Sequence, residues 1–546
     1  MARSWIVTLV GCTTIVALAN DARADEPVGH PSRDPQIGAL HPVLHDDDPH
    51  DEFAAFPLVQ RHEKHYLRAG IEVGSVVVVG FIDYLLNTSD RGGLVRAGDK
   101  RWDLRYSWDD LRGKFTGSAY ELDANKFTTN YVGHPFAGTC YYEVARSNHL
   151  SFAESAIFSI LGSTTWEFFG EIREKVSVND MIATPMAGVA IGESTMQMSG
   201  FFSRGKKNVP NQALAFLFAP LKRINELFDG VEQRRDEHTD VLGFPAAPWH
   251  RFEVYAGGGT TIQESSRTAL ARSTGGAYPD VRFGIDMNVA NLPGYRGAAR
   301  HSRLFDDGNV SSVSFTGIWS KGSFADLQFA TRIVPVGYYY RDARLDERGR
   351  VSGFGAVVGL RMGFEYGMHD FDRDRLRGRD LVSIVSPLGI SVENTFERGR
   401  VQLRTGFDIA GSLSGLTPYA LSDYRSEGRR QEGLLTAVRN NGYYHALGVT
   451  ASPFVEASLG ALRLETRLRF DAFRAIEGFD ENPGVDRSLD ITDRRAIGSA
   501  ALGWRPSGLP LNVSVGVERR ERAGDLGGVH AQRGETSLFG RAGLVF

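Results

Sequence analysis

The chain of 546 residues contains only two cysteines, Cys12 and Cys140, so no disulfide framework holds it together. It also lacks an excess of one charge. Its 62 Lys and Arg nearly balance 66 Asp and Glu, for a formal net charge of -4, and no basic block or stripe occurs. Nucleic acid is thereby excluded as a partner on electrostatic grounds. Long uncharged apolar runs are missing too. Ala69 to Leu86 is the most apolar internal stretch, but it carries Glu72 and Asp83, and its longest uncharged run is Val73 to Ile82. That run is about half of what a membrane-spanning helix needs, which excludes a helical membrane protein. A transmembrane β-barrel is not excluded, because only alternate residues of its strands face lipid.

Glycine is abundant at 62 residues, and period-two alternation dominates the C-terminal half. In Val281 to Val289 every odd position is apolar and every even one polar or Gly; Val401 to Ile409, Leu462 to Asp471 and Leu511 to Glu518 repeat the pattern. Phe354, Ala356, Val358, Leu360, Met362, Phe364 and Tyr366 keep one face over a length that suits a tilted membrane crossing. About twelve such segments, joined by short turns and longer polar loops, predict a mainly β protein: a transmembrane antiparallel β-barrel over residues 251–546, preceded by an α-helical domain. Leu538, Ala542, Leu544 and Phe546 share one face of the last segment, resembling the signal read by the outer-membrane assembly machinery.

The N-terminus reads as a secretory signal over residues 1–24. Arg3 precedes an apolar core from Trp5 to Leu18, and Ala22-Arg23-Ala24 fits a cleavage site; a lipoprotein reading through Cys12 leaves the apolar run after it unexplained. Residues 25–65, rich in Pro, His and Asp, read as a disordered linker, and 231–250 as a second linker. Residues 66–230 read as the helical domain. Its helices are expected over Ala69 to Leu86, Ser151 to Lys175 with a Ser151/Glu154 capping box, Asn179 to Met198 with Asn179 or Asp180 as N-cap, and Gln212 to Phe228.

The densest run of unusual polar residues lies in this domain: Asp123, Asn125, Thr128-Thr129-Asn130-Tyr131, His134-Pro135, Tyr141-Tyr142, Arg146, Trp166-Glu167, Glu171, Asp180 and Gly192-Glu193. In these residues the chain resembles a family of Gram-negative envelope proteins known as domain of unknown function 3943, over about Trp102 to Arg204. The resemblance implies a compartment and a helical segment before a barrel, and no activity.

Ser155, Ser159, Ser163, Glu167 and Glu171 recur every four residues and form a polar stripe on one helix. Two carboxylates one turn apart, with His134 and Glu193 as further titrating groups, have the ingredients of a general acid/base. His134, Glu167 and Glu171 are therefore the candidate catalytic residues, with Asp123, Asn125, Asn130, Arg146, Trp166, Asp180 and Glu193 as the surrounding polar cluster. Zinc chemistry is conceivable with His134 and carboxylates, and the leader run His45 to Glu52 could hold a metal loosely, but no H-E-x-x-H, paired-histidine, G-x-S-x-G or phosphate-loop spacing is present, so the expectation is no metal and no cofactor. Equally, the stripe suits a helix in or under a charged lumen, its glutamates pairing with strand arginines.

The leading expectation is an outer-membrane barrel, exported and cleaved near Ala24, whose helical domain plugs, caps or braces it. Its partners would be outer-membrane lipid and the assembly machinery. The alternatives are a membrane-embedded enzyme acting on lipid or lipopolysaccharide through His134 and Glu167 or Glu171, with Asn130 or Arg146 on the headgroup, and an envelope assembly or interaction protein. Whether the chain is an enzyme stays open at this stage.

Overall fold

The computed structural model describes residues 58–59, 62–86, 108–171, 174–231, 233–236, 238–264, 276–292, 294–306, 310–371, 379–480, 484–486, 489–506 and 508–546. The expected signal segment, its cleavage site and the leader as far as residue 57 lie outside these residues.

The helical region contains α1 (Tyr66–Leu86), α2 (Trp108–Thr116), α3 (His134–Ser147), α4 (Phe152–Thr165), α5 (Val178–Arg204), α6 (Val209–Phe218) and α7 (Pro220–Asp229). Two short strands, β1 (Tyr120–Glu121) and β2 (Val176–Ser177), pair in parallel. The Ser151/Glu154 capping box forms as expected, with Glu154 N donating to Ser151 Oγ at 3.3 Å and Ser151 N to Glu154 Oε2 at 2.8 Å. Other boundaries differ. The helix expected over 212–228 is two helices, because Pro220 has no N–H to continue the ladder. The N-cap of α5 is Ser177, whose Oγ accepts from Asp180 N at 3.2 Å, and neither Asn179 nor Asp180 takes that role. No helix among the described residues is long and apolar enough to cross a membrane.

The strands that follow are β3 (Trp249–Gln263), β4 (Gly276–Ala290), β5 (Ala299–Phe305), β6 (Val310–Ser320), β7 (Ser323–Leu345), β8 (Val351–His369), β9 (Asp380–Arg398), β10 (Val401–Leu416), β11 (Tyr444–Leu459), β12 (Leu462–Ala475), β13 (Ile491–Trp504), β14 (Leu511–Leu526) and β15 (Val529–Val545). Both β5 and β6 pair with β7, one after the other, so they share one position. Each neighbour pairs antiparallel, and β15 returns to β3 from Glu535↔Gln263 to Val545↔Glu253. The result is a closed barrel of 12 strands. Closure leaves no edge, which is what hydrocarbon demands of a sheet. Between β6 and β7, Lys321 and Gly322 both take positive φ (48° and 77°), the backbone of a tight hairpin turn.

Alternation sorts the two faces. Val254 and Ile262 on β3, Leu388 and Ile390 on β9, and Leu464, Val515 and Leu538 point outward and are exposed. The even positions of β8 that carry Phe354 to Tyr366 belong to this outer face, as the alternation predicts. Inward positions carry charge that pairs across the lumen. Arg495 reaches Glu365 at 2.8 Å and Asp471 at 2.7 Å, Arg332 reaches Asp408 at 2.7 Å, and Arg522 reaches Asp380 at 3.0 Å and Asp493 at 2.8 Å.

Among the described residues, segments of the chain fold inward at both ends of the barrel. At the end away from the termini, the 417–443 connection with α8 (Leu421–Ser426) and α9 (Thr436–Asn441) packs Tyr419, Leu421, Tyr424, Leu434 and Val438 against inward Val382, Ile384 and Tyr444. At the other end Leu292 and Tyr295 fold in against Tyr339 and Val357.

The helical region is not in the lumen, contrary to the expectation of a plug or of a helix pairing its glutamates with strand arginines. Helix α5 lies along the outer wall. Ala183, Ala187 and Ala190 pack on Phe364, Val385 and Leu413, and Phe201 and Phe202 on Phe252, Met287, Val289 and Val313, all outward positions. Under this cover Val385 is 0% exposed and Leu413 6%, whereas Leu447, opposite Leu413 on β11, is 63% exposed. With 27 residues α5 is about 40 Å long, enough to follow the wall from rim to rim. Helix α3 packs on α5, and α1 and α4 pack outside α3. Those outer helices expose Leu67, Ile71, Val78 and Val79, and Ile157, Ile160 and Leu161, while Arg146, Glu193, Gln197, Ser155 and Ser159 are buried between helices. Polar inside and apolar outside is the arrangement that lipid favours.

In lipid, helices gain little from burying apolar surface and depend on close packing. Small residues supply it here. A β-carbon on Gly138 would lie 2.0 Å from Thr184 O, and one on Gly188 would lie 2.2 Å from Gly138 C, so α3 and α5 touch backbone to backbone.

Two outcomes follow from this geometry. Gly188→Ala should destabilise the helical module by about 1–3 kcal/mol through overpacking, read as faster protease cleavage within 66–230 while the barrel keeps its heat-modifiable gel migration. In planar bilayers the purified protein should give no steady conductance, and a chain lacking 66–230 should be equally silent; porin-sized steps from either would contradict a sealed lumen.

Candidate functional site at the barrel rim

The expected polar stripe does form, but it faces the other helices. Ser159 Oγ donates to Gly138 O and Ser163 Oγ to Asp180 O, each at 3.1 Å. Helices α3 and α5 run in parallel, since Gly138 meets Thr184 and Gly188 while Tyr142, further along, meets Gly192. Their N-termini therefore converge at one place, together with the loop after β1 and two π-helical turns. Those turns are Thr129–Gly133, closed by His134 N to Thr129 O, and Trp166–Gly170, closed by Glu171 N to Trp166 O at 2.9 Å. Such one-turn π insertions re-aim side chains and recur at functional sites. Here they aim Asn130 and Glu167 into the space between the helix ends.

Three candidate residues meet directly. One ligand atom from each of Asp123, His134 and Asp180 lies within 4.8 Å of the other two, and His134 Nε2 is 3.8 Å from Asp180 Oδ2. These are the residues able to hold a metal. The Asp123 carboxylate accepts from Asn125 N at 2.8 Å and Asn125 Nδ2 at 2.6 Å, and Asp180 accepts from Ser177 Oγ. Behind them, Glu167 Oε2 accepts from Ser177 N at 2.9 Å and Glu171 Oε1 from Trp166 Nε1 at 3.1 Å. The buried Lys114 ammonium donates to the carbonyls of Glu167 and Glu171, at 2.7 Å each, rather than to a carboxylate.

Burial pushes the carboxyls of Asp123, Glu167 and Glu171 well above the usual range. The charge of Asp180 adds to the effect on Asp123, that of Glu171 to the effect on Glu167, and that of Glu174 to the effect on Glu171. Several buried polar atoms have no hydrogen-bond partner among the described residues: Asn130 Oδ1, His134 Nε2, Glu167 Oε1, Asp180 Oδ1 and Thr184 Oγ1. Buried groups left unmatched in one place are unusual and mark a site with something still to bind.

The barrel completes the site. His445, on the outward face of β11, donates from Nε2 to Asp123 O at 2.7 Å, since a carbonyl can only accept. That leaves Nδ1 to accept from the Tyr131 hydroxyl at 2.6 Å. Tyr443 OH donates to Asn125 O at 2.7 Å and accepts from Asn130 Nδ2 at 3.0 Å. On β11 the exposed apolar residue nearest this rim is Leu447, whose partner on β12 is Arg474, so the cluster stands at the rim rather than beside the apolar belt.

Other candidates go elsewhere. Arg146 and Glu193 pair with each other further along α3 and α5, through Nε to Oε2 at 3.0 Å and Nη2 to Oε1 at 3.2 Å, with Tyr142 OH and Gln197 Nε2 also donating to Glu193, each at 2.6 Å. The ring of Trp166 packs against Gly80 and Gly170. Ser177 and Thr184 belong to the same polar run in the sequence, whereas sequence reasoning missed Lys114, Tyr443 and His445 as members of the site. Lys114 occupies a position ordinary for a helix. The last two have no local signal, Tyr443 lying 313 residues from Asn130 and His445 lying 322 from Asp123.

Residues 119–221 match the family model described as Domain of unknown function (DUF3943). The DUF3943 match runs from the start of the cluster through α5 into α7, and so holds every helical residue of the site except Lys114. No curated protein matches the chain. Among solved structures, the NanC porin is 9% identical over 54% of this chain and 98% of its own, with a TM-score of 0.23. The outer membrane channel DcaP of Acinetobacter baumannii is 10% identical over 57% and 100%, with a TM-score of 0.22. A Pseudomonas aeruginosa FadL homologue is 8% identical over 54% and 90%, with a TM-score of 0.21. The barrel itself rests on its own strand pairings.

Because Arg146 and Glu193 are 1% and 0% exposed, removing one strands the other. Arg146→Met should cost about 3–5 kcal/mol, measured as a lower denaturant midpoint for protection of the helical segment from protease.

Proposed function

We propose that this is an outer-membrane enzyme that acts on the polar head region of an amphiphile, lipid or lipopolysaccharide, with the sealed barrel serving as anchor and brace. One observation carries the reading. A cluster of buried, partly unsatisfied acid/base groups sits at the barrel rim, on the outside of the wall, beside helices whose outer surface is apolar. Lipid diffusing in the membrane plane reaches such a site from the side, and a lumenal solute does not. In bacterial barrels the longer connections face the cell exterior. The cluster lies at that end, near the 417–443 connection, so the substrate belongs to the outer leaflet. His134, with 12% of its side chain exposed, and Glu167, whose carboxyl burial pushes well above its usual range, are the groups placed to move a proton.

Export through the N-terminal signal segment and recognition of β15 by the assembly machinery belong to the same proposal. The latter is supported by outward Leu538 and Leu544 and by Phe546, which exchanges backbone hydrogen bonds with Phe252 at 2.8 and 3.0 Å.

Mass-spectrometric profiles of outer-membrane lipids from cells with the wild-type chain, without it, and with His134→Ala or Glu167→Gln check the reading. The wild type should differ from the deletion in at least one lipid or lipid A species, and both variants should resemble the deletion while remaining folded barrels. Identical profiles in all four strains would remove the enzyme and leave only the brace.

A further inference from the structure

We propose that Asp123, His134 and Asp180 bind one divalent transition-metal ion. The inference deepens the reading above by naming what the site holds, and depends on it only for the use to which the ion is put.

Charge is the first argument. Asp123, Glu167, Glu171 and Asp180 crowd together, and the buried Lys114 beside them donates its hydrogen bonds to backbone carbonyls. The helix N-terminus of α5 contributes only about half a positive charge. Buried carboxylates without counter-charge are costly, and a dication is what removes the cost.

Unpartnered atoms point the same way. Asp180, Asn130 and Glu167 are each at most 1% exposed, and each leaves one side-chain oxygen without a hydrogen bond, as does the lone nitrogen His134 Nε2. The cluster is thus more than a group of acids, because an imidazole and an amide oxygen turn into it as well.

Geometry fits after a small closure. Bonds of about 2.0–2.2 Å around a tetrahedral ion place ligand atoms roughly 3.3–3.6 Å apart. His134 and Asp180 stand at 3.8 Å, and the whole trio within 4.8 Å. Three protein ligands leave a fourth position open, as catalytic rather than structural metal sites do. Outer-shell partners are already in place, with Asn125 holding Asp123 and Ser177 holding Asp180. One imidazole with two carboxylates and no thiolate favours zinc or manganese over copper(I) or an iron–sulfur cluster. With His134 on the ion, Glu167 becomes the group left to carry a proton. No metal was expected from the sequence because the ligands come from three separate segments, with none of the spacings that signal a site along one helix.

The test uses the full mature chain, chelator-stripped in detergent, with His30→Ala, His41→Ala, His45→Ala and His50→Ala introduced so that no leader histidine competes for metal. Zinc and manganese are titrated by calorimetry, bound metal is counted by mass spectrometry, and magnesium and calcium serve as comparators. One ion per chain is expected. His134→Ala and Asp180→Asn should weaken it by at least the about 10–100-fold that loss of an outer-shell partner costs, and Asn125→Ala by about that amount. His530→Ala, in an exposed His–Asp pair, should change nothing. Heat-modifiable migration reports whether each variant folds; should the two ligand variants fail, the milder Asn125→Ala and the visible absorption of cobalt(II) added to the unsubstituted site decide. Absence of a bound ion, or binding that the ligand variants or the Asn125 variant leave unchanged, overturns the proposal. A bound ion with unaltered lipid profiles would sink the lipid reading alone, and altered profiles without an ion would sink only the metal.

Discussion

The pairing of β15 with β3 is the constraint on which the rest of the structure depends. A sheet in hydrocarbon cannot leave N–H and C=O groups open, because each unsatisfied group costs several kcal/mol. Once the ring closes, every residue on a strand has one of two addresses, wall or lumen, and the period-two sequence assigns them. The charged lumen follows, as do the ion pairs that span it, because inward arginines and carboxylates face each other across it. A lumen filled this way supports the wall from within. It also leaves the outer surface as the place where a second module can do something.

The helical module shows a matching division of polar and apolar faces. Its outer helices show valine, isoleucine and leucine to the surroundings and keep Arg146, Glu193 and the serines of α4 between helices. Because apolar contacts between helix and wall gain little in lipid, association must come from close fit and polar bonds. The alanines of α5 on Phe364, Val385 and Leu413 supply the fit, and Tyr131–His445 and Asn130–Tyr443 supply the bonds. Helices and barrel are joined most specifically at the place where the polar cluster sits.

Much of the barrel was legible in the sequence, because strand alternation is local. Phe354 to Tyr366 announces its outward face without reference to any other residue, and the count of about twelve segments agrees with the closed ring of 12. The helical region was readable as helices, though not in placement. A polar stripe such as Ser155, Ser159 and Ser163 looks the same whether it faces a charged lumen or a polar seam between helices, and only the tertiary arrangement decides. The composition of the site was half visible. Asp123, Asn130, His134, Glu167, Glu171 and Asp180 come together as a cluster, whereas Arg146 and Glu193, chosen for the same chemical reasons, neutralise each other elsewhere. Charged residues of opposite sign in one candidate set should have suggested a pair. His445 carried no such hint, being one histidine at the start of an ordinary strand.

The role of His445 links site to barrel. Its Nε2–H fixes the carbonyl of Asp123, its Nδ1 takes the Tyr131 proton, and Tyr443 beside it holds Asn125, which in turn holds the Asp123 carboxylate. The geometry of Asp123 is therefore set in part from the barrel and in part by Asn179 on α5, which accepts from Asp123 N at 2.9 Å. All three of Asp123, His134 and Asp180 belong to the helical region, so a bundle released from the wall would keep the trio and lose only the bonds that His445 and Tyr443 make to it. The barrel thereby supplies part of the support of the polar cluster, through His445 and Tyr443.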